Sequence, residues 1–269
     1  MHRGEVLMHQ PFQYLYGPVY SWRLGMSLGI DPISDEGKVC NYNCVYCQLG
    51  DTHSQISERK VFISAQAILD EILRLDSDLV IDYLTFSGRG EPTLAKNLGE
   101  MIAMVKQHRR EKTAVITNAG LIGRSDVRHD LLQADCVLAK LDACDQDSFD
   151  RIDRPVAGTS FDEIMNGLVV FSREFQGKFA LQMMFIDANK SEAARMAEIA
   201  LRIGADEVEL NTPLRPCGVS PLSEEEMAGI KKYFKDVPGV TMVYERERAA
   251  VQAMDQQETV RRHGHYDQQ

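Results

Sequence analysis

The chain has 269 residues, of which 44% are hydrophobic and 26% charged, and its formal net charge is −10. This length and composition are typical of one globular domain of the α/β barrel type and exclude a disordered chain. The acidic balance argues against a nucleic-acid partner, because such partners are usually bound by a basic surface. No apolar run approaches the length that spans a membrane, so we expect no membrane partner.

Strand and helix patterns alternate along most of the chain. Strands separated by helices of this length predict parallel pairing through right-handed crossovers. About six such units indicate an α/β fold, a partial (β/α)6 barrel of parallel strands, in one domain over residues 1–269 with an N-terminal segment 1–25. The predicted strands lie between Met26 and Val39 and at Tyr83–Ser87, Ala114–Thr117, Cys136–Leu141, Phe179–Ile186 and Glu207–Asn211. The predicted helices are Ala65–Leu75, Ala95–His108, Val127–Ala134, Phe161–Glu174 and Glu192–Ile203.

A C-terminal extension follows from about residue 221 to residue 269. Its pattern predicts a helix over Ser223–Phe234 and a strand over Val240–Tyr244. The stretch 256–269 is polar, and we expect it to fray. The adjacent arginines at 261–262 are therefore interpreted as a solvated helix end or tail.

Three of the six cysteines stand within eight residues, as Cys40, Cys44 and Cys47 in the spacing C-x3-C-x2-C. Three thiolates can hold three irons of a [4Fe–4S] cluster and leave the fourth iron open to a substrate. The alternative is a structural zinc site completed by His53 or a distant cysteine, although zinc sites usually contain two C-x2-C pairs. Six cysteines without an export signal also indicate a reducing compartment, which we take to be the cytoplasm.

The cysteine motif, with Tyr46 directly before Cys47, resembles the motif of radical S-adenosylmethionine (SAM) enzymes. Further segments resemble other motifs of that superfamily, in the same order along the chain. They are residues 17–29 (GPVYSWRLGMSLG), 85–93 (TFSGRGEPT), 115–120 (VITNAG), 141–143 (LDA) with 153–155 (DRP), and 210–216 (LNTPLRP). Together they resemble the wyosine-synthase-like branch, from about Tyr14 to the arginines at 261–262.

The resemblance implies that Cys40, Cys44 and Cys47 bind a [4Fe–4S] cluster whose open iron is chelated by SAM. One electron from the reduced cluster would cleave a carbon–sulfur bond of SAM and give a 5′-deoxyadenosyl radical, which abstracts hydrogen from a substrate. The cofactors carry this chemistry, while the protein aims the radical and excludes water and oxygen. We count the three cysteines and Lys140 as the catalytic candidates.

The same resemblance implies a set of SAM-binding residues at the carboxyl ends of the strands. The backbone at Gly88 and Gly90 would bind the SAM amino group while Glu91 fixes the turn, although glycines also mark turns that bind nothing. Asn118 would reach the ribose or carboxylate, or would only form a turn. The predicted cofactor-binding residues are Tyr46, Ser87, Gly88, Gly90, Glu91, Asn118, Asp142, Gln182, Asn211 and Arg215.

Alternation along the predicted strand 136–141 places Leu138, Lys140 and Asp142 on the barrel lumen, and the intervening side chains toward the helices. Related sequences tend to have serine at the position of Lys140. A buried lysine needs a partner, here Asp142, Glu209 or the SAM carboxylate, unless Lys140 lies at the rim and reaches solvent. By the same parity Gln182 faces the lumen, while Arg215 is expected to bind a carboxylate or phosphate, or to form a structural ion pair.

The remaining cysteines and the substrate are less constrained. Cys136 is expected to be a buried small hydrophobe, and Cys144 and Cys217 to be inert, ligands of a second cluster or a thiol hydrogen donor. In the branch that the chain resembles, wyosine-type tRNA modification involves a second cluster held by cysteines before the C-x3-C-x2-C loop. No cysteine precedes Cys40 here, so this activity is disfavoured. The expected partners are SAM, a small-molecule or peptide substrate and a flavodoxin- or ferredoxin-like electron donor. A glycyl-radical activase and a non-catalytic zinc or iron–sulfur binding module are the alternatives.

Overall fold

The computed structural model describes residues 11–246 and 251–264, which form ten strands and eight α-helices. No helix in these ranges is long and apolar enough to cross a membrane. The strands are β1 (Leu15–Ser21), β2 (Gly25–Ile30), β3 (Val39–Cys40), β4 (Ser54–Gln55), β5 (Tyr83–Phe86), β6 (Lys112–Thr117), β7 (Cys136–Lys140), β8 (Lys178–Met184), β9 (Glu207–Asn211) and β10 (Val240–Met242). The helices are α1 (Ala65–Ile72), α2 (Leu98–His108), α3 (Ser125–Leu131), α4 (Gln146–Ile152), α5 (Phe161–Glu174), α6 (Ala193–Ile203), α7 (Glu224–Lys231) and α8 (Gln256–His263).

Eight strands form one sheet in the order β1-β2-β5-β6-β7-β8-β9-β10, and all neighbours are parallel except β1 and β2. No pairing joins β1 to β10 within the described residues, so the barrel is open on that side. The six parallel strands predicted from the sequence are confirmed, with β2 as the strand expected between Met26 and Val39. The antiparallel edge strand β1, within the predicted N-terminal segment, was not anticipated. Residues 1–10 of that segment lie outside the described residues.

Helices cover the outer face of the sheet, and alternation along the strands divides the apolar side chains between two regions. On β7 and directly after it, Val137, Ala139 and Leu141 belong to the main core between sheet and helices, whereas Leu138 packs inside the barrel with Leu24. This confirms the predicted parity of the strand. The lumen is therefore apolar at its base and carries polar side chains nearer the carboxyl ends of the strands.

The helix predictions hold for most elements, with shifted ends. Helix α5 has the predicted bounds and begins at the N-cap Ser160, whose side chain accepts from the amide of Glu163. Helix α2 begins at Leu98 rather than Ala95, because Pro92–Leu94 forms a separate 3-10 turn. Helix α4 was not predicted, since only two of its seven residues are large buried apolar residues, but a capping box at Asp145 stabilises its start.

The expectation that residues 256–269 fray is wrong for the part that the structure describes. Residues 256–263 form α8, whose N-cap Asp255 accepts from the amide of Glu258 (3.0 Å). Arg262 is buried while its neighbour Arg261 is half exposed, so the pair is only partly a solvated helix end. Polar composition suggested a solvated tail, but Thr259, Arg262 and His263 of α8 form hydrogen bonds to distant parts of the chain.

Candidate active site at the carboxyl ends of the strands

The three clustered cysteines lie on one loop, residues 40–47, which we call the cysteine loop. Cys40 ends β3 and is buried, whereas Cys44 and Cys47 are half-buried, and all three are free thiols. The amide of Cys47 donates to the carbonyl of Cys44 (3.1 Å), which closes a turn between them. Side chains that follow β6 and β7 contact the loop, and the backbone that follows β5 pairs with Val39 directly before it. It therefore lies at the end of the sheet where parallel α/β folds bind their ligands.

The backbone of residues 152–156 fixes the course of the cysteine loop. The amide of Asn43 donates to the carbonyl of Asp153 (3.0 Å). The amide of Val45 donates to the carbonyl of Ile152 (3.0 Å). Because these bonds join main chain to main chain, they hold the loop independently of the side chains on it. The sequence Asp-Arg-Pro at 153–155 thus belongs to the site through its backbone.

The sulfur of Cys40 is surrounded by N–H donors. The amide of Tyr42 lies 3.4 Å from Cys40 Sγ, and the side-chain amide of Asn118 lies 3.5 Å from it. Burial, followed by the charge of Glu91, raises the pKa of Cys40 to about 12, so the metal-free residue is a thiol. Binding to a metal would displace that proton, and the two N–H groups would then stabilise the thiolate. These donors fit a residue that serves as a metal ligand.

A single-ion site is not seen in the described part of the chain. Within residues 11–246 and 251–264, no three His, Cys, Asp or Glu side chains are grouped as one metal ion requires. The ring of His53, considered above as a zinc ligand, packs on Gly37, where an added Cβ would lie 2.6 Å from it. Thiolates that bind different irons of a cluster need not converge on one point. The chemistry of the three thiols fits a cluster.

The glycine-rich loop after β5 lies directly against the strand that leads to Cys40. The amide of Val39 donates to the carbonyl of Arg89, and the amide of Glu91 donates to the carbonyl of Val39 (both 3.1 Å). A Cβ at Gly90 would lie 1.7 Å from the Val39 carbonyl oxygen, and one at Gly88, whose φ is +137°, would lie 2.5 Å from Asp31 Cγ. A side chain at position 90 would therefore separate the two loops, and one at position 88 would displace the side chain of Asp31.

The carboxylate of Glu91 joins this loop to the end of β6. It is almost fully buried and accepts from the amide (3.0 Å) and hydroxyl (2.6 Å) of Thr93, from the Thr117 hydroxyl (2.6 Å) and from the Asn118 amide (2.7 Å). Burial raises the pKa of Glu91, and these donors partly offset the increase. Glu91 thus fixes the turn, as predicted, and its oxygens are engaged by the protein itself.

Tyr46 is the centre of a buried hydrogen-bond network beneath the cysteine loop. Its hydroxyl bonds to Asp142 and lies 3.0 Å from Asp153 Oδ1, and it accepts from Lys140 Nζ (3.0 Å). Lys140 Nζ also lies 3.4 Å from Asp142 Oδ2 and 4.3 Å from the centre of the Tyr46 ring. Asp153 Oδ1 accepts from the thiol of Cys44 (3.3 Å), so the network reaches the cysteine loop.

The charges of this network are strongly coupled. Burial lowers the pKa of Lys140, but Asp142 and the nearby Cys44 raise it more, so the net pKa lies above its ordinary value. Burial, reinforced by Asp142, raises the pKa of Asp153 to about 7. Lys140 is therefore an ammonium group held between two carboxyl groups. Of the three partners predicted for it, the structure shows Asp142.

Other predicted residues line the lumen or its rim. Gln182 accepts from the guanidinium of Arg23, which also lies 3.9 Å from the buried carboxylate of Glu209. The Ser87 hydroxyl bonds to the Tyr16 hydroxyl (2.6 Å). Asn118 donates to Asn41 Oδ1 (2.6 Å) and accepts from the amide of Gly120 (2.9 Å), which is the turn arrangement considered for it. Asn211 ends β9 opposite Met184.

A family model described as the Radical SAM superfamily matches residues 37–200, which contain the cysteine loop, the glycine-rich loop and Lys140. The chain belongs to the radical SAM superfamily. It is an enzyme of that class, as the motifs predicted.

Known proteins resemble this chain in sequence and in fold. UPF0026 protein slr1464 of Synechocystis sp. is 41% identical over 219 residues, which cover 81% of this chain and 81% of that protein. A structure of TYW1 with a lysine-pyruvate adduct bound superposes with a TM-score of 0.64 at 20% identity, covering 80% of this chain and 76% of that one. Native anSMEcpe with bound AdoMet gives 0.58 at 13% identity, covering 80% and 64%. The two structures show the shared partial-barrel fold.

Arg215, predicted to bind an anion in this radical SAM site, is joined to other parts of the protein. Its guanidinium donates to Gln48 Oε1 (2.8 Å) and to the carbonyl of His263 (2.6 Å), and lies 3.0 Å from the His263 ring nitrogen Nε2. Burial, followed by the charge of Arg215, lowers the pKa of His263 well below its usual value, so this imidazole is neutral and can accept. Arg215 thus connects the loop after β9, the residue that follows the cysteine loop, and α8.

The three remaining cysteines have separate surroundings. Cys136 is buried at the base of the lumen and is the small hydrophobe that the sequence predicted. Cys144 donates to Glu192 Oε2 (3.4 Å), and burial raises its pKa. Cys217 donates to the carbonyl of Val219 (3.3 Å). Both sulfurs thus lie against oxygen atoms of neighbouring residues.

Sequence reasoning did not assign several residues that shape this radical SAM site. Asp31 and Arg262 are far apart in sequence and carry no motif, and only the fold brings them together. Asp153 stands in a quoted motif, but its contact with Cys44 could not be derived from spacing. For Asp31 a signal existed, since it is an acidic residue directly after β2 at the carboxyl end of the sheet.

Proposed function

We propose that this radical SAM enzyme holds a [4Fe–4S] cluster on Cys40, Cys44 and Cys47 and cleaves SAM reductively to abstract hydrogen from a polar substrate. The observation that carries the proposal is the direct pairing of the cysteine-loop strand with the glycine-rich loop, through the bonds between Val39 and residues 89–91. This pairing places the predicted cluster ligands beside the predicted SAM-binding backbone. When bound, the cluster and SAM supply a 5′-deoxyadenosyl radical.

The protein's own residues would hold and orient these groups. The turn at Gly88–Gly90 leaves its backbone without side chains, which allows the close approach of the SAM amino and carboxylate groups. Asn118 and Ser87 lie at neighbouring strand ends and offer an amide and a hydroxyl to the ribose or carboxylate. Asn211 and Arg215 would contribute from the far side of the lumen.

The substrate side of the proposal rests on the polar lumen. Lys140, Gln182 and Asn211 lie on the lumen face of successive strands, and Lys140 keeps part of its surface exposed. Because buried polar groups require partners, this lining favours a polar small molecule or a peptide side chain over an apolar substrate. Lys140 would orient such a substrate or the SAM carboxylate. A flavodoxin- or ferredoxin-like protein is the proposed electron donor.

Anaerobic reconstitution tests the proposal. We expect about four irons and four sulfides per chain, and 5′-deoxyadenosine after addition of dithionite and SAM. Cys44→Ala should lose both, whereas Cys217→Ala, which alters a half-buried thiol outside the cysteine loop, should retain both. Zinc without sulfide in the wild-type protein, or unchanged iron in Cys44→Ala, would contradict the proposal.

A further inference from the structure

Helix α8 connects the two sides of the open barrel. At one side, the amide of Gly17 in the edge strand β1 donates to the Thr259 hydroxyl (2.9 Å). At the other, the carbonyl of His263 accepts from Arg215, which follows β9. The helix is thus bonded both to the edge strand β1 and to the loop after β9.

The one deeply buried cation on α8 is Arg262, whose side chain is 5% exposed. Its Nε donates to Asp31 Oδ2 (3.2 Å), and its two terminal nitrogens bond to Glu258, to the carbonyl of Gln13 and to the Ser34 hydroxyl (3.2 Å). Arginine can satisfy several partners at once because its donors are spread over a planar group. Arg262 is therefore the residue through which α8 contacts the end of β2.

Asp31, the partner of Arg262, supports the glycine-rich loop. Its Oδ2 accepts from the amide of Arg89 (3.3 Å), and its Cγ occupies the space where Gly88 would otherwise carry a Cβ. Its other oxygen accepts from the amides of Ile33 and Ser34 (3.1 and 3.0 Å). A single carboxylate oxygen is thus shared between Arg262 and the backbone of the glycine-rich loop.

We infer that Arg262 is a positioning residue for SAM, which acts through Asp31 to fix the Gly88–Arg89 turn. The inference rests on the proposed function, because it assumes that this turn binds SAM. The carboxylate of Asp31 is buried, so removing the guanidinium leaves it without its counter-charge. Asp31 then has to turn toward other donors or toward water, and the amide of Arg89 loses its fixed acceptor. The C-terminal helix thereby becomes part of the cofactor site.

The chain supplies a matched control in the adjacent residue. Arg261 carries the same charge on the same helix, but it is 47% exposed and its ion pair with Glu258 has a distance of 3.5 Å. An exposed pair of this kind contributes little to stability. Burial, followed by the charge of Arg261, lowers the pKa of Arg89, but among the described residues Arg261 bonds to Glu258 and not to Asp31. A comparison of Arg262→Met with Arg261→Met therefore separates the buried contact from the loss of charge.

The experiment measures the Kd of SAM by equilibrium dialysis with the reconstituted full chain, together with thermal unfolding of each variant. We expect Arg262→Met to raise the Kd about tenfold, within the usual range of coupling between sites. Arg261→Met should change it less than about twofold. Arg262→Lys should recover part of the affinity, because a lysine can still pair with Asp31.

Each outcome decides the question. A lower melting temperature with an unchanged Kd in Arg262→Met would show a purely structural role and overturn the inference. If that variant does not fold, Asp31→Asn provides the test, since it keeps the shape and removes the charge; an unchanged Kd there overturns the inference equally. If the wild-type protein contains the cluster but binds no SAM, the proposed function is overturned as well. If the wild-type protein binds SAM, an unchanged Kd in the variants contradicts only the role of Arg262.

Discussion

Substitution of Glu91 by glutamine should destabilise the protein without any ligand being present. The buried carboxylate accepts four hydrogen bonds, three on Oε1 and one, from the Asn118 amide, on Oε2. A glutamine that keeps its carbonyl toward the threonines directs an NH2 group at that amide, so one bond is lost and two donors face each other. A lost hydrogen bond to a charged acceptor costs about 1.5–3 kcal/mol. Burial raises the pKa of Glu91 because it disfavours the carboxylate, so replacing that charge by a neutral amide offsets part of this cost. We therefore expect a net loss of about 2 kcal/mol.

Urea unfolding of the metal-free, reduced protein, followed by circular dichroism, measures this difference. Glu58→Gln is the control, because Glu58 is exposed and a surface change of this kind alters stability by less than about 0.5 kcal/mol. The amide proton of Asn118 should also exchange faster in Glu91→Gln, since its acceptor is removed. A variant as stable as the control would refute the view that Glu91 fixes the turn by hydrogen bonding.

Three further predictions concern other buried charges. Glu71→Ala should lower the free energy of unfolding by about 3 kcal/mol or more, because the carboxylate of Glu71 accepts from the amides of residues 13–15 (2.6–3.2 Å). Glu71→Gln should cost less. An unchanged urea midpoint in Glu71→Ala would contradict this prediction. Burial raises the pKa of Glu209 to about 7, and the charge of Arg23 partly offsets this increase. The folded protein therefore favours the protonated form, and the stability that Glu209 contributes below about pH 4.5 should be lost as the pH rises through 7. Glu209→Gln should therefore become more stable relative to wild type across this window, by up to about 3 kcal/mol, and a pH-independent difference would contradict the assignment. Lys140→Met should make the reduction potential of the reconstituted cluster more negative, because a cation close to two of its cysteines is removed; an unchanged potential in an EPR-monitored titration would contradict it.

The parallel core of the fold could be predicted because its signal is local. Each of the strands from β5 to β9 is a short run rich in apolar and β-branched residues, and each is followed by a helical pattern long enough to return to the same end of the sheet. Helix α4 and strand β1 were missed because their own sequences bury few apolar side chains in a clear period. Hydrogen bonds of the folded chain stabilise them instead, the antiparallel pairing of β1 with β2 and the capping box of α4 at Asp145.

The candidate site divides in the same way. That Cys40, Cys44 and Cys47 lie together could be predicted from spacing alone, since residues so near in the chain share one loop. Lys140 could be placed in the lumen from strand parity. Its partner Tyr46, however, was expected to contact SAM, and the structure places its hydroxyl between Asp142 and Asp153, in contacts that no spacing predicts.

The sequence by itself determined the class of the protein, the six central strands and the three cysteines, because each depends on residues that are neighbours in the chain. Only the tertiary structure decided how Arg262 is used. The polar composition of residues 256–269 suggested a solvated tail, yet Arg262 is buried against Asp31, which lies 231 residues earlier in the chain. The physical reason is that a buried charge is stable only beside its counter-charge, and a pairing at such separation is fixed by the assembled fold and not by the local sequence.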